Sequence, residues 1–289
     1  MTTNKNTLEH IIYGIFLLMG LVAVGCVLLI TVYLVLSGIP AILEIGLIDF
    51  LFGKEWASTA TDPKYGIWAF ILTSIYGTAG AIVIGVPIGF MTAVYLSKIA
   101  SPKVKSMMQS AVSLLAGIPS VVYGLVGMLV LVPGIRKIFG VPDGASLLAA
   151  IIVLAIMILP SIIKMSITAL DAVPKEYEDA SLALGATPIE TYFKVSVPAA
   201  KSGIAAAVVL GVGRAIGEAM AVMMVAGNVP NMPDSIFQSV RFLTTAVSSE
   251  MAYSSGLQQQ ALFSIALVLF LFIMLINATL NFFLKREKE

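Results

Sequence analysis

Residues 171–201 read DAVPKEYEDASLALGATPIETYFKVSVPAAK, a charged, proline-punctuated passage in a chain that is otherwise largely apolar. Pro174 suits the first turn of a helix, where its missing N–H costs no hydrogen bond. Glu176, Glu178 and Asp179 follow in the opening turns, where negative charge complements the helix dipole. This helix is expected to run through PKEYEDASLAL and to end at Gly185, the residue type favoured just past a helix C-terminus. A second start follows in TPIE (187–190), with Thr187 as N-cap, Pro188 at the first helical position and Glu190 three residues after the cap. It is expected to stop before Pro198, because the residue preceding a proline avoids helical angles. The result is an elbow of two helices joined at a glycine corner. An apolar stripe through Tyr177, Ala180, Leu184, Tyr192 and Phe193 gives the elbow a face for a partner, the alternative being that it packs under its own helices.

Around this elbow, the 289-residue chain is 59% hydrophobic and 11% charged, with a mean hydropathy of +1.00. Soluble domains carry about a quarter charged residues, so the composition is that of a membrane protein. About 20 apolar residues are needed to cross roughly 30 Å of hydrocarbon. Six stretches qualify, near 11–36, 66–96, 108–132, 146–170, 203–227 and 257–284. The first is too long for a signal peptide and lacks a small-residue cleavage pattern, so it is expected to stay as a span. The expected fold is therefore all-α, with six transmembrane helices and the elbow displayed on one face. The segments are a first span with its loop (1–65), a five-helix core that includes 171–201 (66–284), and a short tail (285–289). With the N-terminus inside, eleven lysines and arginines fall on the inner side and five on the outer, leaving Arg214 within a span. Both termini and the elbow are expected on the cytoplasmic face.

The composition also excludes chemistries. A lone cysteine, Cys26, and a lone histidine, His10, leave no internal disulfide, no Cys-based or HExxH metal site and no His-containing triad. The nearest approach to a nucleotide-binding loop, FGKE at 52–55, lacks the spaced upstream glycine and the hydroxyl residue after lysine. No catalytic residue, metal, cofactor or nucleic-acid partner is expected, and energy for any active process comes from another chain. Trp56 and Trp68 are expected at the membrane–water boundary, residues 133–144 as turns, and a short surface helix over 235–247. Pro87, Pro119 and Pro160 interrupt spans, which membrane helices tolerate where neighbours satisfy the freed carbonyls.

The second unusual passage is GVGRAIGEAM (211–220), in which Arg214 and Glu218 are the only charges of the fifth span. On a continuous helix they are neighbours, with Ala207, Gly211, Ala221 and Val225 along the same face leaving room around them. A central arginine or acid costs about 2.5–3.5 kcal/mol on insertion scales, so lipid exposure is excluded. Gly213 and Gly217 form a GxxxG, which permits close helix approach. Three readings stand. The pair lines a path, with the Arg214 fork offering donors to an oxyanion and Glu218 tempering its grip; it gates against a partner chain; or it is mutually neutralising structure.

The elbow resembles the coupling signature of ABC importer permeases, EAA, three residues, glycine, nine residues, I-x-L-P. Asp179, Ala180 and Ser181 stand at the EAA positions, Gly185 at the glycine, and Val195, Val197 and Pro198 at the I-x-L-P positions. Ser181 departs from alanine and Asp179 shortens the acidic arm by a methylene, with Glu178 beside it as a second acid. GIPSVVYGLVGMLVLVP (117–133), SLALGAT (181–187) and GRAIGEAMAVMMVAGN (213–228) are similar to the PstC-type permease of phosphate ABC importers, as are FGKEWASTA and YGI in the first outer loop. The resemblance spans about 47–281. It implies a type I (MetI-like) importer permease working with a second, PstA-type permease, two PstB-type ATPase subunits and an external PstS-type phosphate-binding protein, by alternating access. Under it the coupling loop is carried by Glu178, Asp179, Ala180, Ser181, Gly185, Val195, Val197 and Pro198, and the path or gate by Arg214 and Glu218. A permease for sulfate or molybdate and a stand-alone secondary transporter or channel are the rival expectations.

Overall fold

The computed structural model describes residues 3–286. Helix α1 (Thr3–Ile45) runs into the short α2 (Leu47–Phe52). Strands β1 (Trp56–Ala57) and β2 (Lys64–Tyr65) form an antiparallel hairpin that pairs Trp56 with Tyr65. Then come α3 (Trp68–Val94), closed by a π turn over Tyr95–Ile99, and α4 (Pro102–Gly117). Next are α5 (Ser120–Val126) and α6 (Val132–Phe139), separated by a second π turn over Gly127–Leu131. Helix α7 (Leu147–Asp171) leads into the elbow, made of α8 (Lys175–Ala183), α9 (Pro188–Thr191), a π turn over Tyr192–Ser196 and α10 (Val197–Ala199). The chain continues through α11 (Lys201–Ile216), α12 (Met220–Val225), α13 (Leu243–Glu250) and α14 (Gly256–Arg286). Of the expected tail, residues 287–289 lie outside the described residues.

Among the described residues, five helices are long and apolar enough to cross a membrane, and a sixth is counted only if α11 and the elbow helix before it, bent by 71°, are taken as one span. The stretches expected at 11–36, 66–96, 146–170 and 257–284 each become one helix, α1 running on through Pro40 to Ile45. The other two differ. Between α4 and α5, Ile118 is extended (φ −70°, ψ 127°), because Pro119 cannot donate to the ladder and drives its predecessor out of helical angles. The spanning segment is therefore Ser120–Phe139. It absorbs residues 133–139, which replaces the expected turns: Pro133 sits in the first turn of α6, and the chain reverses only at Gly140, in the left-handed region. The stretch 203–227 is likewise broken, after Ile216.

Helix α7 is the centre of the bundle. Its Ile158 and Ile162 are fully buried between Gly85 and Gly89 of α3 and Gly211 of α11, whose missing side chains let the helices close. At the hairpin end a second core gathers Phe50, Trp56, Tyr65, Phe70, Leu243 and Leu262. Trp56 is therefore buried against Tyr65 and Phe70, and does not sit at a lipid boundary as expected. Of the surface helix expected over 235–247, only 243–247 are helical. Backbone groups upstream are already taken, since Leu147 and Leu148 donate to the carbonyls of Gln238 and Ile236, and Val240 donates to Ala226. The helix forms later, as α13, and inserts with Leu243, Thr244, Thr245 and Ala246 buried. Helix α1 rests on α14, where Ser264 Oγ donates to the Gly38 carbonyl at 2.5 Å, and Phe16, Leu29 and Leu36 are left exposed.

Helices α5 and α12 approach through Gly124, where an added Cβ would lie 2.8 Å from Cα and 3.1 Å from the carbonyl oxygen of Ala221. Gly124→Val is expected to destabilise the purified chain by about 1–3 kcal/mol, read as a lower thermal midpoint. Gly134→Ala, with nothing within 4 Å of the new methyl, is expected to leave that midpoint unchanged or slightly raised.

Candidate functional site

The elbow is fastened to the bundle from within. Glu178 turns inward, its Oε1 lying 2.5 Å from Lys98 Nζ and accepting from Ser196 Oγ at 2.8 Å. Burial alone pushes this carboxyl up, but the hydrogen bonds from Lys98 and Ser196, with the charges of Lys98 and Lys175, outweigh it and hold the group below the ordinary carboxylate range. Ser181 and Thr191 close the elbow through their hydroxyls, 2.9 Å apart, and Asp171 accepts from Ser97 and Lys105. Thr187 and Glu190 form the expected capping box. The Thr187 backbone N–H, then Lys194 and the Thr187 hydroxyl, hold the Glu190 carboxyl down at about 2.

The outward surface of the elbow is apolar. Leu184 is 90% exposed and Ile189 64%, with Tyr177, Leu182 and Phe193 exposed beside Asp179, Ala180 and Gly185. Tyr192 is half-buried, so Ile189 takes its place in the expected stripe. Val195 and Val197 face inward in part, Val197 packing with Val94, Leu170, Val173 and Ala200, while Pro198 is exposed. The expected stop before Pro198 does not occur. The π turn, in which the Val197 N–H bonds to the Tyr192 carbonyl, widens the helix where a proline ring would otherwise clash. The helix runs to Ala199, and the 71° bend falls at Ala200.

The charged passage at 211–220 is not one helix. Helix α11 ends at Ile216, and Glu218 caps the start of α12, accepting the Ala221 N–H at 3.0 Å. The Glu218 carbonyl accepts from Thr244 Oγ1 of α13 at 2.8 Å. Arg214 instead donates from Nη1 to Ser161 Oγ on α7 at 3.3 Å. The expected contact between Arg214 and Glu218 is therefore absent: the turn that would have stacked them is spent on a break. Nor does their shared face leave room, since Ala207, Gly211, Ala221 and Val225 are all buried in helix contacts. Arg214 opens onto the neighbouring face, into a cleft of about 700 Å³ lined by Ser161 and Met165 of α7, Ala206, Leu210 and Gly213 of α11, and Asn277 of α14. Gly213 faces open space, so the GxxxG brings no helix of this chain close.

Ser161 and Asn277 line the cleft, and sequence reasoning does not single them out. Their signals are slight: Ser161 follows Pro160 inside a span, and Asn277 interrupts the apolar run LFLFIMLINATL. At the hairpin end, Glu250 is likewise inconspicuous, though it is the only acid between Asp234 and the C-terminal tail. It accepts from Trp56 Nε1, Ser58 Oγ and Gln258 Nε2 at 3.2 Å and pairs with Arg241. Asn228, in the left-handed region, donates to the Met223 carbonyl and accepts from Arg241 Nε.

A protein-family model described as the binding-protein-dependent transport system inner membrane component matches residues 85–288. The chain is 41% identical over 266 residues to the probable ABC transporter permease protein YqgH of Bacillus subtilis, covering 89% of this chain and 86% of that protein. It is 34% identical over 264 residues to the phosphate transport system permease protein PstC of Haemophilus influenzae, covering 83% and 84%. Among solved structures, a bacterial alginate ABC transporter in complex with its pentasaccharide-bound periplasmic protein aligns with a TM-score of 0.62 at 16% identity, covering 93% and 92%. An inward-facing MetNI methionine ABC transporter aligns at 0.56 and 22% identity, covering 76% and 94%.

Glu190 titrates at about 2 in the folded elbow against an ordinary 4.5, so its capping contribution is complete above the higher value and is lost only as pH falls toward the lower. Protection of the 188–196 amides, corrected for intrinsic exchange, is therefore expected to stay constant between about pH 7 and 5. Thr187→Ala is expected to speed their exchange about fivefold, corresponding to about 1 kcal/mol of lost cap.

Proposed function

The chain belongs to the family of binding-protein-dependent transport system inner membrane components and has the type I, MetI-like importer permease fold; from that premise we propose that it is the membrane permease subunit of an ATP-driven phosphate importer. The substrate assignment draws support from relatives that are named phosphate transport permeases, at 33–34% identity over most of their length. The observation that carries it is the state of Arg214. Its guanidinium opens into a cleft within the spans with a single long bond to Ser161, while the acid nearest in sequence, Glu218, is turned to a backbone N–H. A planar fork of donors in low dielectric suits a tetrahedral oxyanion, and the uncharged Ser161 and Asn277 add hydrogen-bonding groups without a repelling charge. Glu218 shapes the path by ending α11 beside Arg214, and does not neutralise it.

A second, PstA-type permease completes the path. Two PstB-type ATPases cover the exposed Leu184, Ile189, Tyr177 and Phe193 of the elbow, and a PstS-type binding protein delivers phosphate at the hairpin face. The chain is then a multi-pass cell-membrane subunit with both termini cytoplasmic, non-catalytic itself, converting movement of the elbow into alternating access. Arg214→Gln in the reconstituted complex is expected to cut ATP-dependent phosphate uptake about a hundredfold, close to 3 kcal/mol, with the complex still assembled. Uptake at the normal rate removes Arg214 from the mechanism. Glu218→Gln, whose amide oxygen still accepts from Ala221, is expected to retain most uptake, and Glu218→Ala to lose it. Excess sulfate or molybdate should not compete; competition by either reassigns the substrate.

A further inference from the structure

We propose that Glu178 is a positioning residue that ties α8 both to the end of α3 and to the elbow's own π turn leading into α11, so that a displacement of α8 is delivered to α3 and α11 together. The inference rests on the importer reading above and concerns how the permease is driven. Helix α8 has no buried residue, and Glu178 is the charged side chain on it that turns inward, one carboxylate oxygen receiving both Lys98 and Ser196. The two donors come from separate places in the chain, yet both lie in π turns, Lys98 within Tyr95–Ile99 and Ser196 within Tyr192–Ser196. The first ends α3. The second lies within the elbow and leads through α10 to the 71° bend into α11, the helix that carries Arg214.

A π turn is a local departure from the regular ladder, frequent at functional sites, and here each sits where a span meets the elbow. Glu178 joins the two irregular ends to each other and to α8. The pair is well placed for this. The side chains of Lys98 and Glu178 are 10% and 18% exposed, so their attraction is little screened, whereas the local Lys194–Glu190 pair is 74% and 47% exposed. Helices α3 and α11 also grip α7 through Gly85, Gly89 and Gly211. Motion passed to both therefore moves the walls around Ser161 and Arg214 as a unit. Asp179, one residue on, is exposed and faces away from this clamp, which leaves contact with an ATPase to it and the apolar surface, and coupling within the chain to Glu178.

The test measures ATP hydrolysis and phosphate uptake in the same proteoliposomes containing the assembled importer. Glu178→Gln and Lys98→Met are each expected to lower phosphate carried per ATP about fivefold, with hydrolysis and co-purification of the ATPase subunits retained. The exchange Lys98→Glu with Glu178→Lys should return the ratio to within about twofold of wild type, which a merely packed side chain would not do. Ser196→Ala keeps the ion pair and is expected to lower the ratio about twofold, providing a reading if the charge variants fail to assemble. An unchanged ratio in Glu178→Gln or, where that variant does not assemble, in Ser196→Ala overturns the clamp, as does an exchange that restores nothing. Loss of the ATPase subunits from Glu178→Gln also overturns it, by making Glu178 a docking residue. Wild-type vesicles with no ATP-dependent phosphate uptake overturn the importer reading and the clamp with it; coupled wild type beside an equally coupled variant overturns the clamp alone.

Discussion

A backbone N–H or C=O left unpaired in hydrocarbon is costly enough that spanning helices are broken only where another group takes the freed bonds. Much of this chain's architecture obeys that constraint. Where α4 gives way to α5 at Pro119, Tyr123 reaches back and its hydroxyl donates to the Leu115 carbonyl at 2.8 Å. Where α11 gives way to α12, the Glu218 carboxylate accepts the Ala221 N–H and Thr244 donates to the Glu218 carbonyl. The start of α7 is closed by the Ser146 hydroxyl and by the carbonyls of Val225, Gln238 and Ile236. With those bonds made, irregular backbone can lie inside the bundle, and the cleft at Arg214 sits beside one such break.

The same constraint explains how few charges the chain carries and where they go. Three carboxylates outside the cleft each collect donors from distant segments, Asp171 binding Ser97 and Lys105 at the end of α7. Glu178 binds Lys98 and Ser196 beneath the elbow, and Glu250 binds Trp56, Ser58, Arg241 and Gln258 at the hairpin end. The ion pairs at Glu178 and Glu250 are part-buried, so they are less screened than pairs at the open surface and hold their segments together more firmly. Among the described residues Arg214 makes no such ion pair, its guanidinium bonding to the uncharged Ser161 at the edge of the cleft.

The elbow shows why some features are legible in sequence. Helix starts and stops at Pro174, Gly185, Thr187 and Glu190 depend on residues within four positions of one another, and the capping box forms as read. At Pro198 the expectation fails because the rule for a residue before proline assumes an ordinary helix upstream, and the π turn at 192–196 changes that premise. The pairing of Arg214 with Glu218 fails for a related reason: spacing of four makes neighbours only if the helix continues, and here the acid is recruited to start the next helix.

Read alone, the sequence shows a helical membrane protein, the position of most of its spans, and an elbow that resembles a coupling signature. These conclusions come from apolar run length, local capping and residue inventory, all properties of short windows. Only the tertiary structure decided where spans break, that Glu178 faces Lys98 80 positions away, that Glu250 gathers Trp56 194 positions away, and that Thr244 supplies the bond that closes the break at Glu218. The physical reason is that a broken helix is tolerated only if its freed groups find partners, and those partners are brought by packing, which no local window contains.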